Sequence, residues 1–180
     1  MPSSSSQMGV YYNKEAFLGT WSRVAIGLID LGVVGITSAI FAAIMSVSLP
    51  PPTAPALSVI GVLLIGAGYF VFLKRTAFRT IGYRMFQVRV VDFQGNRPSI
   101  FQMVNRALFL ALGPVNGMID LLWVSSDDSK QAIRDLWSQT YLVRDSVEPA
   151  GRGRIITRRY GIMGFNFVFQ EVLKDGAHSA

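Results

Sequence analysis

Residues 24–49 read VAIGLIDLGVVGITSAIFAAIMSVSL, an apolar run in which Asp30 is the only charged residue. A helix over this run would be about 39 Å long, enough to cross a hydrocarbon core of about 30 Å with some tilt. Pro50-Pro51-Pro52 ends the run, because consecutive prolines cannot continue a helix. A second, uncharged run at 56–73 would give about 27 Å of helix after a short uncharged linker. The sequence therefore predicts two transmembrane helices, 24–49 and 56–73, joined as a tight hairpin.

The composition also points to a membrane protein and away from most enzymes. Of 180 residues, 51% are hydrophobic and only 16% are charged, against about 25% charged residues in an ordinary soluble domain; mean hydropathy is +0.38. The absence of cysteine excludes disulfide scaffolds, cysteine-based zinc sites and cysteine nucleophiles. A single histidine argues against multi-histidine metal sites and a Ser-His-Asp triad. We expect a protein that is not an enzyme and holds no cofactor and no metal.

Basic residues set the expected orientation. Seven cations lie from Lys74 to Arg106 against one acid, Asp92, and such an excess is typical of cytoplasmic segments. Residues 1–22 would share that side as a cytoplasmic or interfacial segment. They lack the cationic start of a signal peptide, and the apolar run after them is too long for a signal-peptide core. We therefore expect an uncleaved anchor with a cytoplasmic N-terminus.

The third apolar segment, 107–124, is interrupted by Gly113-Pro114, by Asn116-Gly117 and by Asp120. One alternative is a kinked third span, which would place the C-terminus outside. The other is a re-entrant or interfacial helix pair, 99–112 and 117–124, in which non-helical backbone is tolerated only where protein or a water cavity satisfies it. The basic tail favours the cytoplasmic side, and so favours the re-entrant alternative.

Two short runs have the alternating pattern of strands. Phe86, Val88 and Val90 alternate with polar neighbours before a turn that ends at Gly95, and a second β-like run covers 140–143. The predicted fold is mainly α and integral to the membrane. It comprises a two-helix transmembrane hairpin, a third broken segment and a short cytoplasmic β pair, all within a membrane domain at 23–144, and a basic C-terminal tail at 145–180.

Three sequence blocks in this order resemble the RDD family of small membrane proteins, which is named for one arginine and two aspartates. They are Arg23-Val-Ala-Ile-Gly-Leu-Ile-Asp30, then Thr80-Ile-Gly-Tyr-Arg84 followed by Val88-Arg-Val-Val-Asp92, and finally Asp135-Leu-Trp-Ser-Gln-Thr140. The resemblance covers roughly residues 17–144, and it departs from the family pattern at Ile81 and Tyr83, where proline and lysine are usual. It implies a membrane domain, expected here in a bacterial cytoplasmic membrane. The function of the family is largely unknown, although a role in transport has been suggested.

The charged residues of these blocks are the first candidate site residues. Arg23 and Asp30 lie about 10.5 Å apart along one helix face, too far for a direct ion pair. Because a charge within a span is costly, Asp30 is expected to face protein or water. One hypothesis is an ion or proton site with Asp30 as its carboxylate and Asp120 or Asp135 as partner. The hypothesis that we favour is structural: Arg23 reaches the headgroups, and Asp30 accepts hydrogen bonds from a neighbouring helix or from Arg106.

Asp120 lies one helical turn after Asn116 and has the same two alternatives, lining a pathway or being satisfied inside the fold. Asp135, with Arg134 beside it on a short helix, is expected to bridge to the basic loop.

The tail supplies the remaining candidates, for contact with a partner subunit or with lipid: Arg152, Arg154, Arg158, Arg159, Phe165, Phe167 and Phe169. The apolar stretch 160–169 is too short to span a membrane. It either lies in the membrane interface or docks on another subunit, and we favour docking. Beside two membrane helices, the basic residues are expected to meet anionic lipid headgroups rather than nucleic acid.

Two functional hypotheses follow. In the first, the protein is a non-catalytic membrane subunit that stabilises or assembles a larger membrane protein complex. In the second, it is an oligomeric transporter or ion- or proton-handling protein that uses Asp30. We favour the first, because no evident ligand set surrounds Asp30 in the sequence.

Overall fold

The computed structural model describes residues 8–126, 131–162 and 165–174. The two longest helices form the predicted hairpin: α1 is Thr20–Ser48, and α2 is Ala54–Ala67, which continues as a π-helical segment, Gly68–Leu73. Both are long and apolar enough to cross a membrane. They approach closely at Gly61, where a Cβ atom would lie 1.9 Å from Cε1 of Phe41. α1 begins four residues before the predicted 24, and α2 begins two residues before the predicted 56.

The third apolar segment is two helices, α4 (Ile100–Ala111) and α5 (Pro114–Ser126), bent by 110°. α4 begins at a capping box, in which the Ser99 hydroxyl accepts from the Gln102 amide and the Gln102 side chain accepts from the Ser99 amide. The break between the two helices is shorter than the gap of 113–116 that the predicted helices 99–112 and 117–124 left. It falls at Gly113, whose φ of +134° suits glycine, since other residues rarely adopt such angles.

A two-stranded antiparallel sheet joins the segment after the hairpin to the segment after the bent pair. β2 (Val88–Asp92) pairs with β3 (Thr140–Arg144), so that Val90 lies opposite Leu142 and Val91 opposite Tyr141. Side chains alternate between two cores because successive strand residues point to opposite faces. One core contains Val90 and Leu142 with Ile26 and Met103 from the helices and Leu18 from the segment before α1; the other contains Val91 and Tyr141 with Tyr12 and Phe17. The predicted β pair is therefore present, packed between α1, α4 and the N-terminal residues.

The tail forms strands, which the sequence analysis did not predict. β4 (Gly151–Ile162) and β5 (Phe165–Lys174) pair as an antiparallel hairpin, and β1 (Met8–Tyr11) pairs with the start of β4. The sheet order is β1-β4-β5. Consequently the predicted N-terminal segment and the predicted tail share one sheet. Two short helices complete the fold: α3 (Ile81–Met85) after the hairpin and α6 (Ile133–Trp137) before β3.

Candidate functional site

Asp30 is fully buried and holds four partners of the chain on its carboxylate. Its Oδ1 atom accepts from the Tyr69 hydroxyl and from the Gly82 amide, both at 3.0 Å. Its Oδ2 atom accepts from the Thr80 hydroxyl at 3.0 Å and lies 3.0 Å from Lys74 Nζ. We call these five residues the Asp30 cluster. A carboxylate has about four lone-pair sites, so the carboxylate of Asp30 is saturated by its own chain.

The π-helical segment is what brings Tyr69 and Lys74 to the same carboxylate. In an α-helix, residues five apart point about 140° away from each other, whereas the wider π turn brings them nearly into line. The Lys74 ammonium also lies over two rings, 4.9 Å from the Phe70 centroid and 4.6 Å from the Tyr83 centroid. These cation–π contacts hold the lysine against the aromatic wall beside Asp30.

The Thr80-Ile-Gly-Tyr block docks directly on Asp30. Thr80 is the N-cap of α3: its hydroxyl donates to Asp30 and accepts from the Tyr83 amide at 3.4 Å. Glycine is required at the third position of the block, because a Cβ atom on Gly82 would lie 2.8 Å from Asp30 Oδ1 and 2.9 Å from the Ile26 carbonyl oxygen. The block is therefore a loop shaped to donate hydrogen bonds to the aspartate of α1.

Asp30 lies within the predicted span 24–49, and its distance from the hairpin turn gives its position along that span. Counting back from Ser48, Asp30 lies about 27 Å along α1 from the hairpin turn, and Lys74 lies about 30 Å along the second helix from Ala54. A hydrocarbon core of about 30 Å therefore ends close to both residues. Measured from the hairpin turn, Asp30 lies near the far end of a core of this thickness, and the first turns of α1 extend beyond that length.

A second buried cluster joins Arg23 of the first sequence block to Asp135 of the third. Arg23 Nη1 donates to Asp135 Oδ2 at 2.8 Å, and Arg106 Nη1 lies 2.6 Å from Asp135 Oδ1. Arg106 also donates to the Thr140 hydroxyl. Arg23, Asp135 and Thr140 are at most 3% exposed and Arg106 is 5% exposed. We call these four residues the Asp135 cluster; it fastens α1, α4 and α6 to the start of β3.

The spacing in the third sequence block follows from this geometry. Asp135 lies in the first turn of α6, where its Oδ2 atom also accepts from the Ala132 amide at 3.2 Å. Thr140 opens β3 five residues later, so both side chains reach Arg106. Burial by itself would raise the pKa of Asp135, but the guanidiniums of Arg106, Arg23 and Arg134 outweigh it and hold that pKa well below its usual range.

Asp120 takes part in neither cluster. Its carboxylate accepts from the Arg134 amide at 3.0 Å and lies 3.2 Å from Arg134 Nε, so it anchors the start of α6 to the middle of α5. Asn116 donates from Nδ2 to the Phe109 carbonyl at 3.1 Å, which ties the two helices of the bent pair together.

Several expected pairings are wrong. Asp30 meets neither Asp120 nor Asp135, because α5 and α6 pack beside Arg23 and Arg106 rather than beside the Asp30 cluster. Arg106 binds Asp135 instead of Asp30. Arg23 does not extend to the headgroups but points inward to Asp135. Asp30 does accept from the neighbouring helix, through Tyr69.

The tail residues divide between surface and interior. Phe169 is buried against Ile133 and Leu136, so this aromatic residue docks within its own chain. Phe167 remains 38% exposed; Phe165 lies in β5, and its side chain is outside the described part. Four arginines are exposed: Arg152, Arg154, Arg158 and Arg159.

Glu171 offsets part of the positive charge of the β4–β5 hairpin. Glu171 lies 3.5 Å from Arg158 Nη1 and accepts a hydrogen bond from the Tyr160 hydroxyl. Partial burial and this carboxylate raise the pKa of Tyr160 to about 12.

Sequence reasoning missed Lys74, Tyr69 and Thr80 as partners of Asp30. The sequence analysis used Lys74 only as the start of the basic segment that sets the expected orientation. The sequence did contain a signal for Lys74. A buried carboxylate requires an opposite charge nearby, and Lys74 is the first cation after the second apolar run.

The strands β1–β5 and the short helices α3 and α6 lie outside the two spans, and we call them the extramembrane unit. A two-helix hairpin joined to such a unit by paired charges defines an integral membrane protein whose polar residues hold its parts together. The RDD family profile matches residues 18–139, and the chain belongs to the RDD family. No curated protein and no solved structure matches the chain. Within residues 8–126, 131–162 and 165–174, no group of three or more His, Cys, Asp or Glu side chains is placed to hold a metal ion.

Proposed function

We propose that this RDD-family protein is a non-catalytic membrane subunit that stabilises or assembles a larger membrane protein complex. Its helix hairpin would pack laterally against other subunits, and its extramembrane unit would contact them at the cytoplasmic face. The proposed orientation has the N-terminus in the cytoplasm of a bacterial cell, which agrees with the excess of cations from Lys74 to Arg106.

The observation that carries the proposal is the saturation of Asp30. An ion or proton site needs a carboxylate with room for the transported species, but both oxygens of Asp30 are held by donors of the same chain. Asp135 is likewise held between two guanidiniums. Charges that are paired within the chain in this way stabilise its fold. A fold stabilised in this way suits a subunit that presents fixed surfaces to its neighbours.

The extramembrane surface supports the contact part of the proposal. Trp137 and Val168 are both more than half exposed although they lie outside the two spans. Aromatic and arginine side chains are the types enriched at the centres of protein interfaces. The arginines of β4 lie on the same unit and would meet acidic residues of a partner or anionic lipid headgroups.

The test is purification from the native membrane in a mild detergent, followed by sizing and identification of every stoichiometric companion. We expect unlike subunits at a fixed ratio. Recovery of the chain alone, or as a homo-oligomer, would contradict the proposal and favour the transport hypothesis.

A matched pair of variants separates surface contact from general charge. Arg154→Glu reverses a charge on the β4 hairpin, and Arg97→Glu makes the same reversal on an exposed loop after β2. We expect the first variant to lose companions and the second to retain them, with equal amounts of folded chain. Equal retention by both variants would exclude the β4 surface as the contact.

A further inference from the structure

The bent pair has a continuous uncharged face that no described residue covers. The exposed apolar side chains of this face include Phe101 and Leu108 of α4, Leu112 directly after it, and Val115 and Met118 of α5. Their spacing places each set on one helix face. Leu112 and Val115, on either side of the bend, are 78% and 64% exposed. Arg106 and Asp120, the only charged residues of the two helices, both point inward to ion-pair partners.

Both ends of the bent pair lie at the same end of the transmembrane hairpin. Near the start of α4, Gln102 Nε2 donates to the Gln139 carbonyl at 3.3 Å, just before β3. After α5 the chain returns to α6, which holds Asp135 on Arg23 in the second turn of α1. The pair therefore enters and leaves where α1 begins, and it does not lead across to the other end.

The lengths of the helices fit one leaflet and not a whole bilayer. α4 would extend about 18 Å and α5 about 20 Å, whereas the hydrocarbon core is about 30 Å thick and one leaflet about half of that. α4 packs on the π-helical segment and α5 on α1, so their exposed faces continue the lipid-facing surface of the hairpin.

The bend is closed by hydrogen bonds, as backbone within a bilayer requires. The Gly113 amide donates to the Leu110 carbonyl at 3.3 Å, and the Asn116 amide donates to the Gly113 carbonyl at 3.2 Å. The Asn116 side chain donates to the Phe109 carbonyl at 3.1 Å. Pro114, the first residue of α5, has no amide hydrogen that would need a partner.

From these four observations we infer that α4 and α5 form a re-entrant hairpin embedded in a single leaflet, with the lipid acyl chains of that leaflet against its exposed face and the Leu112–Val115 bend at its deepest point. The protein then occupies a larger cross-section in the leaflet nearest the extramembrane unit than in the opposite leaflet. This inference concerns lipid contact alone and does not rest on the proposed assembly role.

The first measurement tests sidedness with single cysteines, which have no background because the chain contains no cysteine. Arg97→Cys and Arg154→Cys flank the bent pair in the sequence, and Thr53→Cys marks the hairpin turn. An impermeant maleimide is applied to spheroplasts before and after permeabilisation. We expect positions 97 and 154 to label together, and position 53 to label in the opposite condition, whichever way the protein inserts. Labelling of 154 together with 53 would reveal a third crossing and overturn the inference.

The second measurement tests depth in the purified full chain, reconstituted in phosphatidylcholine and phosphatidylglycerol vesicles. A nitroxide at Leu112→Cys is compared with one at Ile40→Cys, about midway between Asp30 and the end of α1, and one at Asn96→Cys, in an exposed turn. We expect collisions with dissolved oxygen to exceed those with a nickel chelate at 112, with a depth between those of 96 and 40.

Two other results would overturn the lipid assignment. Nickel accessibility at 112 equal to that at 96 would place the bend outside the bilayer. Spin–spin broadening at 112 in the singly labelled protein would place a second copy of the chain, and not lipid, on the exposed face.

Discussion

Asp135→Asn should lower the stability of this protein strongly although it changes the shape of the side chain very little. The asparagine keeps an acceptor for Arg23 and roughly the same volume. It removes the one negative charge between two guanidiniums whose side chains are 0% and 6% exposed. The variant therefore isolates the electrostatic part of the Asp135 cluster.

The expected magnitude follows from the burial of the two arginines. Removing one partner of a buried ion pair costs about 3–5 kcal/mol, because the remaining charge stays desolvated without compensation. For a chain of this size, 1 kcal/mol corresponds to roughly 2–4 °C in Tm. We therefore expect Asp135→Asn to lower Tm by about 6–20 °C.

The assay is thermal unfolding in detergent micelles, followed by tryptophan fluorescence, with Asp145→Asn as the matched control. Asp145 makes an ion pair of the same length with Arg79, 2.8 Å, but its side chain is 38% exposed. Exposed pairs contribute at most about 1 kcal/mol, so the control should lose less than about 4 °C. Equal losses in the two variants would refute the account of the Asp135 cluster.

A rescue variant separates unpaired charge from lost packing. Replacing all three charged residues by apolar ones, as Arg23→Met, Asp135→Leu and Arg106→Met together, leaves no charge in the Asp135 cluster. Such replacements of whole buried networks are often neutral or stabilising, so the triple variant should regain most of the lost Tm. A triple variant less stable than Asp135→Asn would show that the cluster acts through its hydrogen-bond geometry.

The pH dependence of this contribution has a defined sign. The pKa of Asp135 is lower in the folded protein than the value of about 3.9 in an unfolded chain. The stabilisation is therefore complete above about pH 4 and is lost as the pH falls toward the folded pKa. The Tm difference between wild type and Asp135→Asn should be constant from pH 5 to pH 8 and should shrink below about pH 4; shrinkage above pH 5 would contradict the assignment.

Two further substitutions test the Asp30 cluster by the same Tm assay. Gly82→Ala should destabilise by about 1–3 kcal/mol, since its Cβ atom meets Asp30 and the Ile26 backbone; Gly66→Ala, which meets nothing within 4 Å, should be neutral or stabilising. Tyr69→Phe should cost about 1–3 kcal/mol, because it removes a donor to Asp30 and leaves a buried acceptor short of one partner. A neutral Tyr69→Phe would show that its hydroxyl is dispensable.

The hairpin could be predicted from sequence because its signal is local. Apolar length, the proline run and the uncharged linker together specify two spans, and their bounds were displaced by at most four residues. The β pair was also predictable, since the alternation from Phe86 to Val90 marks one strand and the β-like run at 140–143 marks the other. The π-helical segment could not be predicted from the sequence. Nothing in Gly68–Leu73 distinguishes a π turn from an α turn, and the structure alone shows that Tyr69 and Lys74 must both reach Asp30.

The pairing of the buried charges could not be predicted from local sequence patterns, for a different reason. Arg23 and Asp135 are 112 residues apart, and which acid meets which base depends on how α6 packs against α1. The tail hairpin, by contrast, had a readable signal. Phe165, Phe167 and Phe169 recur with the period of two that marks a strand, but the stretch was assessed only for contact with the membrane interface or with another subunit.

The most direct test of the central claim, that Asp30 braces the fold for assembly and does not handle ions, is a double-mutant cycle of Asp30→Asn and Lys74→Met. Its readout is the amount of assembled complex recovered from the native membrane. We predict that each single variant reduces recovery and that the double variant regains part of it, because no unpaired charge then remains at the membrane boundary. If Lys74→Met leaves recovery unchanged while Asp30→Asn abolishes an ion flux, Asp30 belongs to a transport site and the account is wrong.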